Sequence, residues 1–190
     1  ALWREILDTK ASNAYGPMEW TFNTMDGWDL MDECPDIPDD LKLEITRRLL
    51  LIGVKNEKAY GPSIGRVDRT IADGHQLDQG LCVYMHGLYF SKYYGINAHW
   101  MDMAMPLIKL GAQTPRLHDS YAYGPIAGND FLSEYALKSG DMEYFENGNC
   151  RRQVEWQALC SDNINGGGTF GDDGAWRGSV PTALFYKANW

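Results

Sequence analysis

Apolar residues recur every three or four positions along most of this chain, which is the helical period. No segment alternates apolar and polar residues for the length of a strand. A short helix is expected over 2–10. A second is expected over Met18 to Met31, where Met18, Phe22, Met25 and Trp28 share a face. The run Cys34-Pro35-Asp36-Ile37-Pro38 breaks it, and Asp36 and Asp39 then offer caps to a new helix with Pro38 near its first turn. That helix runs Leu41 to Val54, with Leu41, Ile45, Leu49 and Ile52 as its inner stripe, Arg47 opposite the stripe and Arg48 flanking it.

Residues 56–74 are polar and carry Gly61-Pro62, Gly65, Arg66 and Arg69, so they are expected to connect rather than to be helical. Gln76 to Tyr94 is the strongest helical pattern, closed by Gly95. Gly80 and Gly87 lie on one face of it and predict a close helix–helix contact that offsets their cost to the helix. Ala98 to Leu110 is apolar and Met-rich, with a kink or break expected at Pro106. Ala112 to Gly128 is a long loop of the kind that often carries function. Helices follow over Asn129 to Lys138, ended by Gly140, and over Asn149 to Cys160, with a short amphipathic turn at Asp141 to Glu146 between them. Residues 161–179 are too rich in glycine and Asp/Asn to be regular, and a last helix is expected from Pro181. The architecture this implies is all-α: antiparallel helical hairpins in a single domain over 1–190, forming part of an (α/α) toroid if the pairs curve.

Composition narrows the function classes. At 190 residues the chain can bury a substantial core, and no apolar run approaches the roughly 18 residues of a membrane span. The net charge of −9 excludes a general nucleic-acid binder, whose surface must neutralise phosphates. It leaves room for an anionic substrate in a locally basic cleft. Cys34, Cys82, Cys150 and Cys160 form no CxxC pair and have no histidine at zinc-finger spacing, so no metal site is expected. Cys82 sits in an apolar helical stretch and is expected in the core. Aromatic residues make up 13%, enough for sugar-stacking surfaces or for a wide core.

Three constellations could carry chemistry. In Asp73-Gly74-His75-Gln76, the histidine opens the longest helix, where the dipole favours its neutral form as a base or donor. The plain alternative is a histidine that closes a turn. In Arg116-Leu117-His118-Asp119-Ser120-Tyr121-Ala122-Tyr123, the guanidinium can grip a carboxylate with two hydrogen bonds, and a tyrosine near a cation can exchange a proton. The alternative there is a packed surface loop. The segment from Ser161 to Asp173 partly resembles a calcium loop but has Ser first and Asp twelfth, so a flexible loop over a cleft is the better expectation. No Gly-x-Ser-x-Gly motif supports a serine hydrolase.

Several of these patches resemble the helical region of the heparinase II/III-like polysaccharide lyases and related alginate lyases. They are Gly27-Trp-Asp-Leu-Met-Asp-Glu, Leu41-Lys-Leu-Glu-Ile-Thr-Arg-Arg-Leu-Leu, Gly74-His-Gln, Gly87-Leu-Tyr-Phe-Ser-Lys-Tyr-Tyr and Tyr135-Ala-Leu-Lys-Ser-Gly-Asp-Met-Glu-Tyr-Phe, in that order over about 20–175. The resemblance implies β-elimination on a uronic-acid polysaccharide without metal or organic cofactor. It assigns His75, Arg116 and Tyr123 to catalysis, with Tyr121 competing for the tyrosine role. It places Gln76, His118, Asn129 and Trp100 among the substrate-binding residues. The family's Asn-His pair is Gly74-His75 here, which leaves Asn97, Gln76 or Asn129 to supply the missing hydrogen bond. The partner implied is an anionic polysaccharide, and the location extracellular or periplasmic. Full toroids of this family need more helices, so the expectation is a fragment of a longer lyase, or a piece completed by another domain or by self-association. A glycoside hydrolase on a similar toroid, using two carboxylates, and a non-catalytic carbohydrate-binding helical module are the alternatives.

Overall fold

In a computed structural model, residues 21–64, 74–113 and 131–160 are described. They are mostly helical, with seven helices and no strand among the described residues. These are α1 (Thr21–Met31), α2 (Asp39–Ile64), α3 (Gly74–Tyr94), α4 (His99–Gln113), α5 (Leu132–Ser139), α6 (Glu143–Glu146) and α7 (Asn149–Cys160). No described helix is long and apolar enough to cross a membrane. The expected helices over 2–10 and beyond Pro181, and the loop over 112–128 from Thr114 onward, lie outside the described residues.

The described residues divide into two compact units. The first holds α1, α2 and the stretch from Asp78 to Pro106. Its core is Met25, Trp28, Ile45, Leu49, Ile52, Leu81, Phe90 and Trp100, all at most 3% exposed. Ile45, Leu49 and Ile52 are the stripe expected from their spacing, while Arg47 is exposed and Arg48 pairs with Glu44 one turn away, at 3.1 Å. Cys82 is buried, as its apolar surroundings require.

Two local break signals are overridden by packing. Helix α2 continues ten residues past Val54, through Gly61-Pro62. Asn56 is fully buried on that extension, and Gly61 lies against Met103. Pro62 falls in the last turn of the helix. Helix α4 likewise runs through Pro106 without a break. Pro106 is exposed, so water can reach the carbonyl it leaves without a donor.

Helix α3 ends as expected. Gly95 takes φ +67°, and its N–H donates to the Ser91 carbonyl at 3.1 Å. Asn97 also adopts a left-handed φ of 59°, which the asparagine side chain tolerates. Four residues thus turn the chain into α4, and the two helices pack as a hairpin. Gly87 permits this: a Cβ there would sit 3.0 Å from Trp100 Cβ and from the Met101 backbone nitrogen.

Glycines on α2 separate two kinds of close contact. A Cβ at Gly53 would lie 2.6 Å from Cζ3 and 2.7 Å from Cη2 of the buried Trp100 ring. A Cβ at Gly61 would lie 3.0 Å from the Met103 sulfur, the far end of a flexible chain. Alanine in a helix gains about 1 kcal/mol over glycine, but overpacking a locked ring costs about 1–3 kcal/mol. Gly61→Ala is therefore expected to leave stability unchanged or raised, and Gly53→Ala to lower it. Urea unfolding of the two variants side by side tests this. Equal midpoints would refute the close approach at Trp100.

The second unit holds the start of α3 to Leu77, the stretch from Leu107 to Gln113, and α5 to α7. Helix α5 spans Leu132–Ser139 and ends at Gly140 with φ +76° and a hydrogen bond to the Ala136 carbonyl, while the expected start at Asn129 lies outside the described residues. The α4 end is tied to the turn before α7. Asn147 and Asn149 both donate side-chain N–H groups to the Ala112 carbonyl, each at 2.8 Å. The orphan carbonyls of a helix end need such donors. Cys34, Cys82 and Cys150 form no disulfide, and burial pushes the Cys150 thiol up to about 11.

Candidate functional site

His75 and Gln76 lie in the first turn of α3. Arg116, His118, Tyr121, Tyr123 and Asn129 lie outside the described residues. Asn97 lies in the turn between α3 and α4. Trp100 corrects an expectation. It is 1% exposed, with no ring face open for a sugar to stack on. Instead it meets His86, Phe90 and His99 with ring centroids 6.4, 6.5 and 6.0 Å apart.

Beside Trp100 is a half-exposed acid–base pair. His99 Nε2 and Glu57 Oε1 are 2.9 Å apart. The Glu57 carboxyl is held below its ordinary range, first by the hydrogen bond from His99 and then by the Trp100 indole. The indole Nε1 faces that carboxylate without closing a hydrogen bond of good geometry. Deeper in, His86 is fully buried on α3. Its Nδ1 is 2.7 Å from the Cys82 carbonyl, which can only accept, so Nδ1 carries the proton. Nε2 is left as a lone pair with no partner. Both atoms of the Asn56 amide are also unpartnered. These buried groups are individually costly within an otherwise apolar core.

An exposed aromatic cluster lies at the C-terminal end of α3. Tyr93 and Tyr94 are 37% and 54% exposed, and Ile96 beyond them is 42% exposed. Tyr89 is buried behind them, with ring centroids 4.9 Å from Tyr93 and 6.2 Å from Tyr94. Tyr89 Oη donates to Asp32 Oδ2 at 2.8 Å, which fixes the buried ring; burial, reinforced by that carboxylate, raises its phenol well beyond the ordinary range. Lys92 Nζ sits 4.3 Å from the centre of the Tyr93 ring, donates to Tyr93 Oη at 2.7 Å, and lies 3.6 Å from Asp29 Oδ1. Flat aromatic surface beside an ammonium and a carboxylate can stack on a sugar ring and hydrogen-bond its hydroxyls. The sequence carries a usable signal for this patch. Two tyrosines in the last turn before Gly95, beside Lys92, stand where the helix leaves the core.

Among the described residues, no three His, Cys, Asp or Glu side chains gather closely enough to hold a metal ion. No family model matches the chain, and no curated protein and no solved structure is significantly similar to it.

Proposed function

We propose that this chain belongs to a polysaccharide lyase of the (α/α)-toroid type, cleaving a uronic-acid polymer by β-elimination. The observation that carries the proposal is the place of His75, in the first turn of a 21-residue helix. The helix dipole disfavours its imidazolium there, so the ring is available as a base or donor at neutral pH. The order of the lyase-like sequence patches and the all-helical fold support the same reading.

In this mechanism Arg116, with His75 and Gln76, binds the uronate carboxylate and withdraws its negative charge. The C5 proton becomes acidic because the enolate-like intermediate is stabilised at that carboxylate. Tyr123 takes the C5 proton or returns a proton to the leaving oxygen, with Tyr121 as the competing phenol. The C4–O bond breaks, and a double bond forms between C4 and C5. His118 and Asn129 hold neighbouring hydroxyls.

The test is ultraviolet absorbance of the 4,5-unsaturated uronate on alginate, glucuronan, hyaluronan, heparan and ulvan, beside a Tyr123→Phe variant. A rise that the variant loses is the expected result. Shortened polymer without absorbance would replace elimination with hydrolysis. A second reading, a non-catalytic carbohydrate-binding module, is favoured by the exposed Tyr93 and Tyr94 beside Lys92. It requires polymer binding without any product, lost on Tyr94→Ala.

A further inference from the structure

Two polar side chains are fully enclosed in the first unit. Asn56 on α2 and His86 on α3 are each 0% exposed. Buried polar atoms in folded chains are paired, either with protein or with ordered water. Three atoms of these two residues have neither a side-chain nor a backbone partner: His86 Nε2, Asn56 Nδ2 and Asn56 Oδ1.

The helix geometry brings the three atoms to one place. A Cβ at Gly53 would lie 3.0 Å from His86 Cδ2, the ring carbon bonded to Nε2. The imidazole therefore meets α2 along its Cδ2–Nε2 side, at Gly53. Asn56 follows three residues later, on the same face of α2. Helical side chains lean toward the N-terminus, which carries the Asn56 amide over the turn that holds Gly53. The two groups share this interior without bonding to each other, since each lacks a partner.

Their hydrogen-bonding roles define what fits between them. Nδ1 of His86 holds the proton that it donates to the Cys82 carbonyl at 2.7 Å, so Nε2 only accepts. Asn56 Oδ1 also accepts, and Nδ2 donates. The complement is a molecule that gives two hydrogens, takes one and is small enough for a close-packed core. Water does all three. A direct bond from Nδ2 to Nε2 would satisfy the ring and strand Oδ1, at the cost of a buried carbonyl without a donor. A metal ion would face the Nδ2 hydrogens, and no three His, Cys, Asp or Glu side chains gather among the described residues.

We propose that α2 and α3 enclose one ordered water, held by His86 Nε2 and by the Asn56 amide. It donates one hydrogen to Nε2 and the other to Oδ1, and accepts one from Nδ2. Three hydrogen bonds are the usual complement of a buried water. In this arrangement Gly53 admits the imidazole edge and Asn56 supplies the other wall of the water site. The proposal is independent of the lyase reading.

A crystal structure of the wild-type chain, at a resolution that shows ordered water, tests it directly. One density peak is expected within about 3.2 Å of Nε2, Oδ1 and Nδ2 together. No peak there, a peak that touches only one of the two residues, or a direct Asn56–His86 contact overturns the proposal. Nitrogen-15 spectra of labelled histidine give a second readout. Asn56→Leu is expected to expel the water and shift the His86 Nε2 resonance while leaving the protonated Nδ1 in place. Near-ultraviolet circular dichroism checks that this variant stays folded. A folded variant whose His86 Nε2 resonance is unmoved also overturns the proposal. Should the variant fail to fold, the density in the wild-type crystal still decides.

Discussion

Trp100→Ala is expected to lower the unfolding free energy by about 3–5 kcal/mol, the usual cost of removing a fully buried indole. The ring contributes at several contacts at once. It stands edge-on to His86 and Phe90, and Gly53 lies directly against its six-membered edge. The helices around it cannot close the gap without moving α2 toward α3 and α4, so a cavity penalty adds to the lost transfer energy. Urea unfolding followed by circular dichroism measures the loss. A polymer-affinity assay on the same variant separates the two roles open to this side chain. A fold as stable as the wild type, with lost sugar affinity, would return Trp100 to the substrate-binding residues.

The second large effect is set by pH through His86. Burial lowers its folded pKa from 6.5 to about 4, against a smaller opposing effect of its hydrogen bond to the Cys82 carbonyl. The sign follows directly. Between these two values the unfolded chain takes up a proton that the folded chain refuses. The contribution is present in full above pH 6.5 and is lost as pH falls toward 4. A shift of this size corresponds to about 3 kcal/mol. Urea midpoints from about pH 7 to about pH 4.5 should therefore fall for the wild type, and the decline should flatten in His86→Leu. The leucine also removes a lone pair that has no partner in the core. Parallel curves for the two proteins would show that another group governs the acid limb.

The helices were legible because their apolar spacing is regular, and the inner stripe of α2 could be named residue by residue. Gly95 and Gly140 marked the helix exits because a left-handed turn there needs no Cβ. Gly61-Pro62 and Pro106 misled because a break signal is local while its outcome depends on neighbours. Gly61 rests on Met103, and Pro106 faces water, so both helices continue. Trp100 misled for a related reason. A tryptophan next to a histidine reads equally well as a sugar platform or a core residue, and only its packing against Gly53 and Gly87 decides between them. The patch at Lys92, Tyr93 and Tyr94 needed Asp29, which is distant in sequence. The catalytic roles of His75, Arg116 and Tyr123 rest on residue type and order alone, since chemistry depends on how side chains converge and spacing along the chain does not encode that.

The Ala112 carbonyl, which receives amide protons from both Asn147 and Asn149, also bears on how this protein ages. Asn147 precedes Gly148, the dipeptide in which attack of the glycine nitrogen on the side-chain amide is least hindered. In the folded chain that nitrogen donates to the Phe145 carbonyl and the amide is held by Ala112. Attack is thereby restrained while the turn stays closed. Once the turn opens, hydrolysis would replace a donor with a carboxylate beside the electronegative end of α4, where it repels the carbonyl it formerly capped. Chemical damage at this one position would then be both a record of past opening and a cause of further opening.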